Sequence, residues 1–197
     1  DASCACGAEL VFGRQALPPN FLYFYVGYFI GGGVVLNGRL YTGPTGNAGA
    51  IGPIPVPGAT GDIQQLIELA SLSGLEKTLA AAGGDAAGSR SGAEIWDSPT
   101  HWTMDPGILE RWMDQAAEAI AFSIATACSI IDFEAVVIDG WMPETVRTDL
   151  ARLTKQKLHQ VNLAGLIAPI IHEGTIGADA RALGAASLPL SQRFLAL

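Results

Sequence analysis

The stretch from Phe21 to Pro53, FLYFYVGYFIGGGVVLNGRLYTGPTGNAGAIGP, sets the tightest limit on what this chain can become. It holds nine of the 24 glycines and a single charged side chain, Arg39. Its first residues form an aromatic and β-branched run that suits a buried strand. Gly27 interrupts the run, and Gly31, Gly32 and Gly33 precede a second apolar run, Val34 to Leu36. Asn37-Gly38 supplies the left-handed pair of a type I′ hairpin turn, which returns the chain along Arg39 to Tyr41. Consecutive glycines weaken a strand, so a bend, a bulge or a close neighbour must need bare backbone there. Two readings stand at this point: a loop shaped to hold phosphate or sugar, and a glycine bulge in a buried meander.

A chain of 197 residues can bury a full core, and its 49 % hydrophobic and 15 % charged composition is that of a globular protein. The net charge of −8 argues against a nucleic-acid grip, which needs a basic face; Lys155 and Lys157 are the only close lysines. Three cysteines, an odd number at uneven spacing, predict reduced thiols and a cytoplasmic protein. The uncharged run from Gln15 to Gly38 raises the question of a membrane span. Two prolines, four glycines and the Asn-Gly turn break it, so no spanning helix is expected. The chain opens on Asp1 without a methionine and reads as a fragment of something longer.

In order, Asp1 to Phe12 predicts a short helix, capped by Asp1 and ended by Gly13. Cys4 and Cys6 lie two apart on it, about 200° around the axis, so they cannot share a metal. After the glycine-rich stretch, IPVPGATGD reads as a proline-punctuated edge segment. Ile63 to Ser71 and Gly74 to Ala82 read as short helices, and residues 83 to 107 as a mobile excursion. Asp105-Pro106 is a strong start for a long helix reaching about Ile131. A buried strand, Glu134 to Asp139, a helix from Pro143-Glu144, and a strand from Leu166 to Ile171 follow. A last helix runs from Ala178 or Asp179 towards Phe194, kinked at Pro189. The expected fold is therefore α/β: a three-strand antiparallel meander, then α-β-α-β-α. That is the pattern of the ribonuclease H-like, actin-type ATPase fold.

Several chemistries drop out. No glycine run precedes Gly-Lys-Ser/Thr, so there is no P-loop, and the glycine spacing does not match a dinucleotide fingerprint. No Gly-x-Ser-x-Gly elbow exists, and His101, His159 and His172 lie far apart and read as ordinary. Among carboxylates, Asp1, Glu68, Asp139 and Glu173 are candidates to reach a cleft. Solvation is the plainer reading for each, above all for Glu173. Asp139-Gly140 ends a strand where open α/β sheets bind ligands.

These residues resemble the ROK proteins (repressor, open reading frame, kinase), which include bacterial sugar kinases and sugar-responsive repressors. Asp1-Ala2 through Glu9, Phe12 and Gly13 looks like the family's Asn-Asp-Ala…Glu…Phe-Gly helix. Ile30 to Tyr41 is close to its signature, and Gly43 to Gly52 continues it. Trp112 to Ile138 resembles its long helix and following strand, and Leu183-Gly184-Ala185-Ala186 its closing segment. The resemblance covers essentially the whole chain. It implies that residues 1–197 form the larger C-terminal domain, with the helices of 1–13 and 178–197 packing toward an absent N-terminal small domain. By the same resemblance Asp1 matches the base that takes the sugar hydroxyl proton. Glu68 and Asn47 would contact sugar, and Gly27, Gly31, Gly32 and Gly140 would contact a nucleotide if one is still bound.

The departures carry as much information. The family's Gly-Thr-Gly-Ile-Gly-Gly-Gly loop has Tyr28 and Phe29 here, rings expected to obstruct both ligands. Its Ala-Gly-Glu-x-Gly-His becomes Ala48-Gly49-Ala50-Ile51-Gly52-Pro53, which lacks both polar sugar contacts and the first zinc ligand. No cysteine follows between Val56 and Ile67, so no zinc is expected. Each lost charge-assisted bond is worth about 1.5–3 kcal/mol. The expectation is a non-catalytic, sugar-effector-binding and dimerising domain of a transcriptional regulator, without cofactor, reaching DNA only through a module upstream of Asp1. The alternative is an ATP-dependent kinase of a hexose or amino sugar, using ATP and magnesium in a variant pocket. A third reading is a scaffold whose pocket Tyr28 and Phe29 fill.

Overall fold

In a computed structural model the described residues are 2–82 and 94–194. The first helix, α1 (Ala2–Phe12), is followed by β1 (Phe21–Val26), β2 (Ile30–Leu36) and β3 (Arg39–Tyr41). Next come β4 (Pro55–Pro57), β5 (Ile63–Gln65), α2 (Leu66–Ala70), α3 (Leu72–Ala82) and α4 (Glu94–Asp97). The chain continues through α5 (Pro106–Cys128), β6 (Ala135–Gly140), α6 (Glu144–Leu158), β7 (Ile170–Glu173) and α7 (Ala180–Phe194).

The main sheet has the order β3-β2-β1-β6-β7. β2 pairs antiparallel with β1 and β3, whereas β6 runs parallel to both β1 and β7, so the sheet is mixed. Every residue of β1 and β6 is buried, as expected of central strands covered on both faces. The period of two divides β1 between two cores. Leu22, Phe24 and Val26 pack with α2, α3, α5 and α6, while Phe21, Tyr23 and Tyr25 pack with Ala5 and Cys6 of α1 and Ala180 of α7. Each fully buried side chain of this size contributes about 1.5–3 kcal/mol. Asn37 (φ 53°) and Gly38 (φ 73°) both turn left-handed between β2 and β3.

The glycine run has a tertiary cause. A Cβ on Gly31 would lie 2.8 Å from the Ala2 Cβ, and one on Gly33 would collide with the Cys6 side chain. Gly32 points the other way, where a Cβ would meet Tyr23 O at 2.7 Å and Gly49 O at 3.0 Å. The strand is bare so that α1 can lie on one face and the 43–52 loop on the other.

Some boundaries differ from the expected ones. Ile63–Gln65 is strand rather than helix, pairing with Pro55–Pro57 across a turn closed around Asp62. Its carboxylate accepts from Thr60 Oγ1 and Gln64 Nε2, both at 2.6 Å. The helix therefore starts only at Leu66, and α3 starts at Leu72, two residues before the expected Gly74. The predicted strand 166–171 begins at Ile170, because Gly165 (φ 86°) and a Leu166 N to Leu163 O bond hold the preceding residues in a turn. The long helix ends at Cys128 rather than Ile131. Asp105 caps it as expected, accepting from Ile108 N at 3.0 Å. Of the expected excursion, residues 83–93 lie outside the described residues, and α4 and an ordered Trp102 occupy part of the remainder. Among the described residues no helix is long and apolar enough to cross a membrane.

Candidate active site

The parallel strands β1 and β6 end side by side, Val26 opposite Gly140. At that end β1 turns sharply into β2 through Gly27, Tyr28 and Phe29. The carbonyls of Gly27 and Tyr28 accept from Leu72 N (3.0 Å) and Ser73 N (3.1 Å). The first amides of α3, which a helix leaves unpaired, are thus used to dock the hairpin tip. The amide protons of Tyr28 and Phe29 are taken by no acceptor among the described residues, leaving two donors at the tip. The rings stack edge to face at 4.8 Å and remain 49 % and 60 % exposed, with Trp96 5.6 Å from Tyr28.

An open cavity of about 530 Å³ lies between this tip and α2–α3, lined by Phe29, Gln64, Ile67, Glu68, Ser71, Ser73, Gly74 and Lys77. Of the two rings expected to obstruct the pocket, Phe29 lines this cavity and Tyr28 does not, and both are exposed. Glu68 uses Oε2 to accept from Gln65 N at 3.0 Å, the short-range bond that starts α2, and leaves Oε1 free for a ligand. Ser71 and Ser73 are buried with their hydroxyls 2.8 Å apart. Only one of the two protons can lie between them, so the other is available to an acceptor in the cavity. Lys77 is exposed at the rim and has no ion-pair partner among the described residues. These serines and the lysine were missed by sequence reasoning. The signal was the Ser-Leu-Ser-Gly break, where Ser71 adopts an extended conformation (φ −93°, ψ 153°) between two helices.

The other sequence candidates divide. Gly27, Gly31 and Gly32 belong to the tip and the strand behind it. Gly140 ends β6 at the same edge, but its amide donates to its own Asp139 side chain at 2.9 Å. Asn47 is exposed in the 43–50 loop and does not line the cavity. Asp1 lies outside the described residues. Among the described residues no cluster of three metal-ligating side chains occurs, and the three histidines stay apart. The segment where the resemblance places a zinc loop is the Asp62-closed hairpin.

Asp139, a candidate to face a ligand, is instead wholly buried. Its carboxylate accepts from Tyr23 Oη (2.9 Å), Gly140 N (2.9 Å) and Gly177 N (3.1 Å), with Arg147 Nη1 at 3.7 Å. Burial still holds its pKa above the usual carboxylate range, against those donors. Arg147 also donates to Glu173 (3.0 Å), which accepts from Thr148 (2.8 Å), so Glu173 is paired rather than simply solvated. Glu9 of α1 accepts from Thr175 N and Oγ1, and burial raises its pKa as well. These carboxylates tie α1 and the segment after β7 to the sheet; they do not open into the cavity.

Comparison with known proteins bears on what such a cavity does. The ROK family profile matches residues 1–192. The bifunctional enzyme NanE/NanK of Brucella melitensis is 31% identical over 190 residues, covering 95% of this chain and 34% of that protein. The chain thus spans about a third of the length of this relative. Among solved structures, the Lmo2764 protein of Listeria monocytogenes carries a provisional N-acetylmannosamine kinase name. It is 27% identical with a TM-score of 0.69, covering 98% of this chain and 65% of that one. The ROK hexokinase of Thermus thermophilus is 29% identical with a TM-score of 0.66, covering 94% and 64%. These kinase names overturn the expectation of a non-catalytic regulator domain, which rested on the missing polar groups at positions 28, 50 and 53. With a family profile along nearly its whole length, this chain belongs to the ROK family.

Proposed function

We propose that this chain is the larger domain of an ATP-dependent sugar kinase acting on a hexose or an amino sugar. The observation that carries the reading is the open cavity beside the glycine hairpin tip, with Glu68 facing in and a wall of Phe29. The similarity to proteins named as kinases supports it independently. We read the fold as the ribonuclease H-like, actin-type architecture, whose hairpin tip holds phosphate between two domains. Matched lengths of 65% and 64% of the solved relatives support a further domain beyond this one.

The residues fit a nucleotide at one point. The unpaired amides of Tyr28 and Phe29 are placed to donate to phosphate oxygens, and Lys77 supplies a cation nearby. Bound nucleotide with its magnesium would supply the transferable phosphoryl group. The chain's own groups do the rest. Phe29 offers an apolar face to a sugar ring, and Glu68 Oε1 accepts a sugar donor. Asp1, matched by resemblance, is the proposed base for the sugar hydroxyl proton. Self-association and a cytoplasmic location belong to the same proposal, and light scattering of the purified protein tests the first.

The test is a coupled assay of ADP release by the full-length protein over a panel of hexoses and amino sugars. We expect turnover on at least one sugar, reduced by two or more orders of magnitude in Asp1→Asn, the range assigned to a positioned general base. Turnover indifferent to Asp1→Asn would remove the base from the proposal. Silence across the panel, with folded protein, would overturn the kinase reading.

A further inference from the structure

The polar side chains of the cavity fall into two sets. Gln64 and Glu68 come from β5 and α2, and Ser71, Ser73 and Lys77 from the break between α2 and α3 and from α3. Gln64 is partly buried, and the turn joining β4 to β5 holds its amide. Its Nε2 donates to Asp62 Oδ2 at 2.6 Å, while Asp62 Oδ1 accepts from Thr60 Oγ1 at 2.6 Å. These two hydrogen bonds, that from Thr60 first, hold the Asp62 carboxyl below its usual range, so it is ionised at neutral pH. Gly58 makes the room. A Cβ there would lie 2.5 Å from Asp62 Oδ1 and 2.8 Å from Gln64 Nε2.

A glutamine amide with no fixed partner can flip, and then offers a donor or an acceptor equally. Gln64 has lost that choice. An ionised carboxylate only accepts, so the amide nitrogen must be the atom turned to Asp62. Gln64 Oε1 accepts from no donor among the described residues, and neither does Glu68 Oε1. The β5–α2 set is therefore restricted to accepting, whereas the other set supplies the spare serine proton and the Lys77 ammonium.

We propose that Gln64 is a specificity-determining sugar contact, an obligate acceptor that takes one hydroxyl proton while Glu68 takes another, and that Asp62 is its positioning residue. The ligand class is a polyhydroxylated ring that presents two hydroxyl donors to these oxygens. A ring carbon lacking one of those hydroxyls leaves an acceptor unpaired and binds more weakly. The identity of the ligand rests on the sugar-kinase reading; the Asp62–Gln64 pair rests on the geometry of the turn.

The full-length protein is titrated by calorimetry with glucose, mannose, glucosamine and mannosamine and with the monodeoxy analogues of the two hexoses. ADP release is measured in parallel. We expect Gln64→Ala to raise Kd and KM about ten-fold, to leave kcat nearly unchanged, and to erase the wild type's discrimination against one monodeoxy analogue. Asp62→Asn keeps the shape but can donate as well as accept, which frees the amide to flip, and it should weaken the same hydroxyl contact and spare the others. Gln64→Ala alters a side chain at the cavity surface and carries the test alone if Asp62→Asn does not fold. Unchanged binding in these variants would overturn the contact and leave the kinase reading intact. Equal weakening of every analogue would show a merely structural turn, and the contact falls. Weakening at one hydroxyl, with no ADP released by the wild type, would sustain the contact and sink the kinase reading. No binding of any of these sugars to the wild type would sink both.

Discussion

Tyr23 and Asp139 show how much of this protein's polar chemistry is structural. Three protein donors meet one buried carboxylate, and Tyr23 Oη supplies one of them. Tyr23→Phe should cost about 1–3 kcal/mol, the loss of one hydrogen bond to a charged group, read from urea unfolding. A change below a few tenths would mean water replaces the hydroxyl. The pH dependence has a definite sign. Burial raises Asp139 and Glu9 above their ordinary values, so the folded state holds these protons longer than the unfolded chain does. Their contribution is full below the ordinary carboxylate range, about pH 4, and is lost as pH rises through the folded pKa values. Asp139→Asn cannot ionise, so its stability relative to the wild type should improve as pH rises from about 4. Parallel stability–pH curves for the two proteins would contradict this. The sequence singled out Asp139 because of its place at a strand end. It could not reveal that Tyr23, 116 residues before it, and Gly177, 38 after it, close over it together with Arg147.

At the scale of elements, local chemistry was legible wherever one short motif decides the backbone. Asn37-Gly38, Asp105-Pro106 and the apolar blocks of β1 and β6 are such cases. Asp105→Ala should destabilise the protein by about 0.5–2 kcal/mol, the usual worth of such a cap, measured by thermal or urea melting. Legibility failed where tertiary contact decides. Ile63–Gln65 has a helix-compatible composition, but β4 recruits it as a strand. The glycine run suggested a ligand cradle, whereas Gly31 and Gly33 are bare chiefly to admit α1. Gly33→Ala should therefore push α1 off the sheet, costing about 1–3 kcal/mol as overpacking does. Because Cys6 is the side chain it strikes, its thiol should become more reactive to a water-soluble maleimide. Unaltered stability and a still-protected Cys6 would show that α1 does not need the bare strand.

The whole molecule brings a hairpin tip and the α2–α3 break around one opening. The family was readable from ordered motifs spread along the chain, but activity was not. Reading the loss of Glu and His at positions 50 and 53 as loss of function ignored what else lines the space. Ser71, Ser73 and Lys77 line the same space as Glu68. The kinase account stands most directly on one measurement. Purified full-length protein is incubated with magnesium-ATP and N-acetylated and parent sugars, and the sugars are weighed by mass spectrometry. The account predicts a sugar that has gained one phosphoryl group, with the gain lost in Asp1→Asn. Sugars that bind to the wild type yet emerge without a phosphoryl group would contradict it.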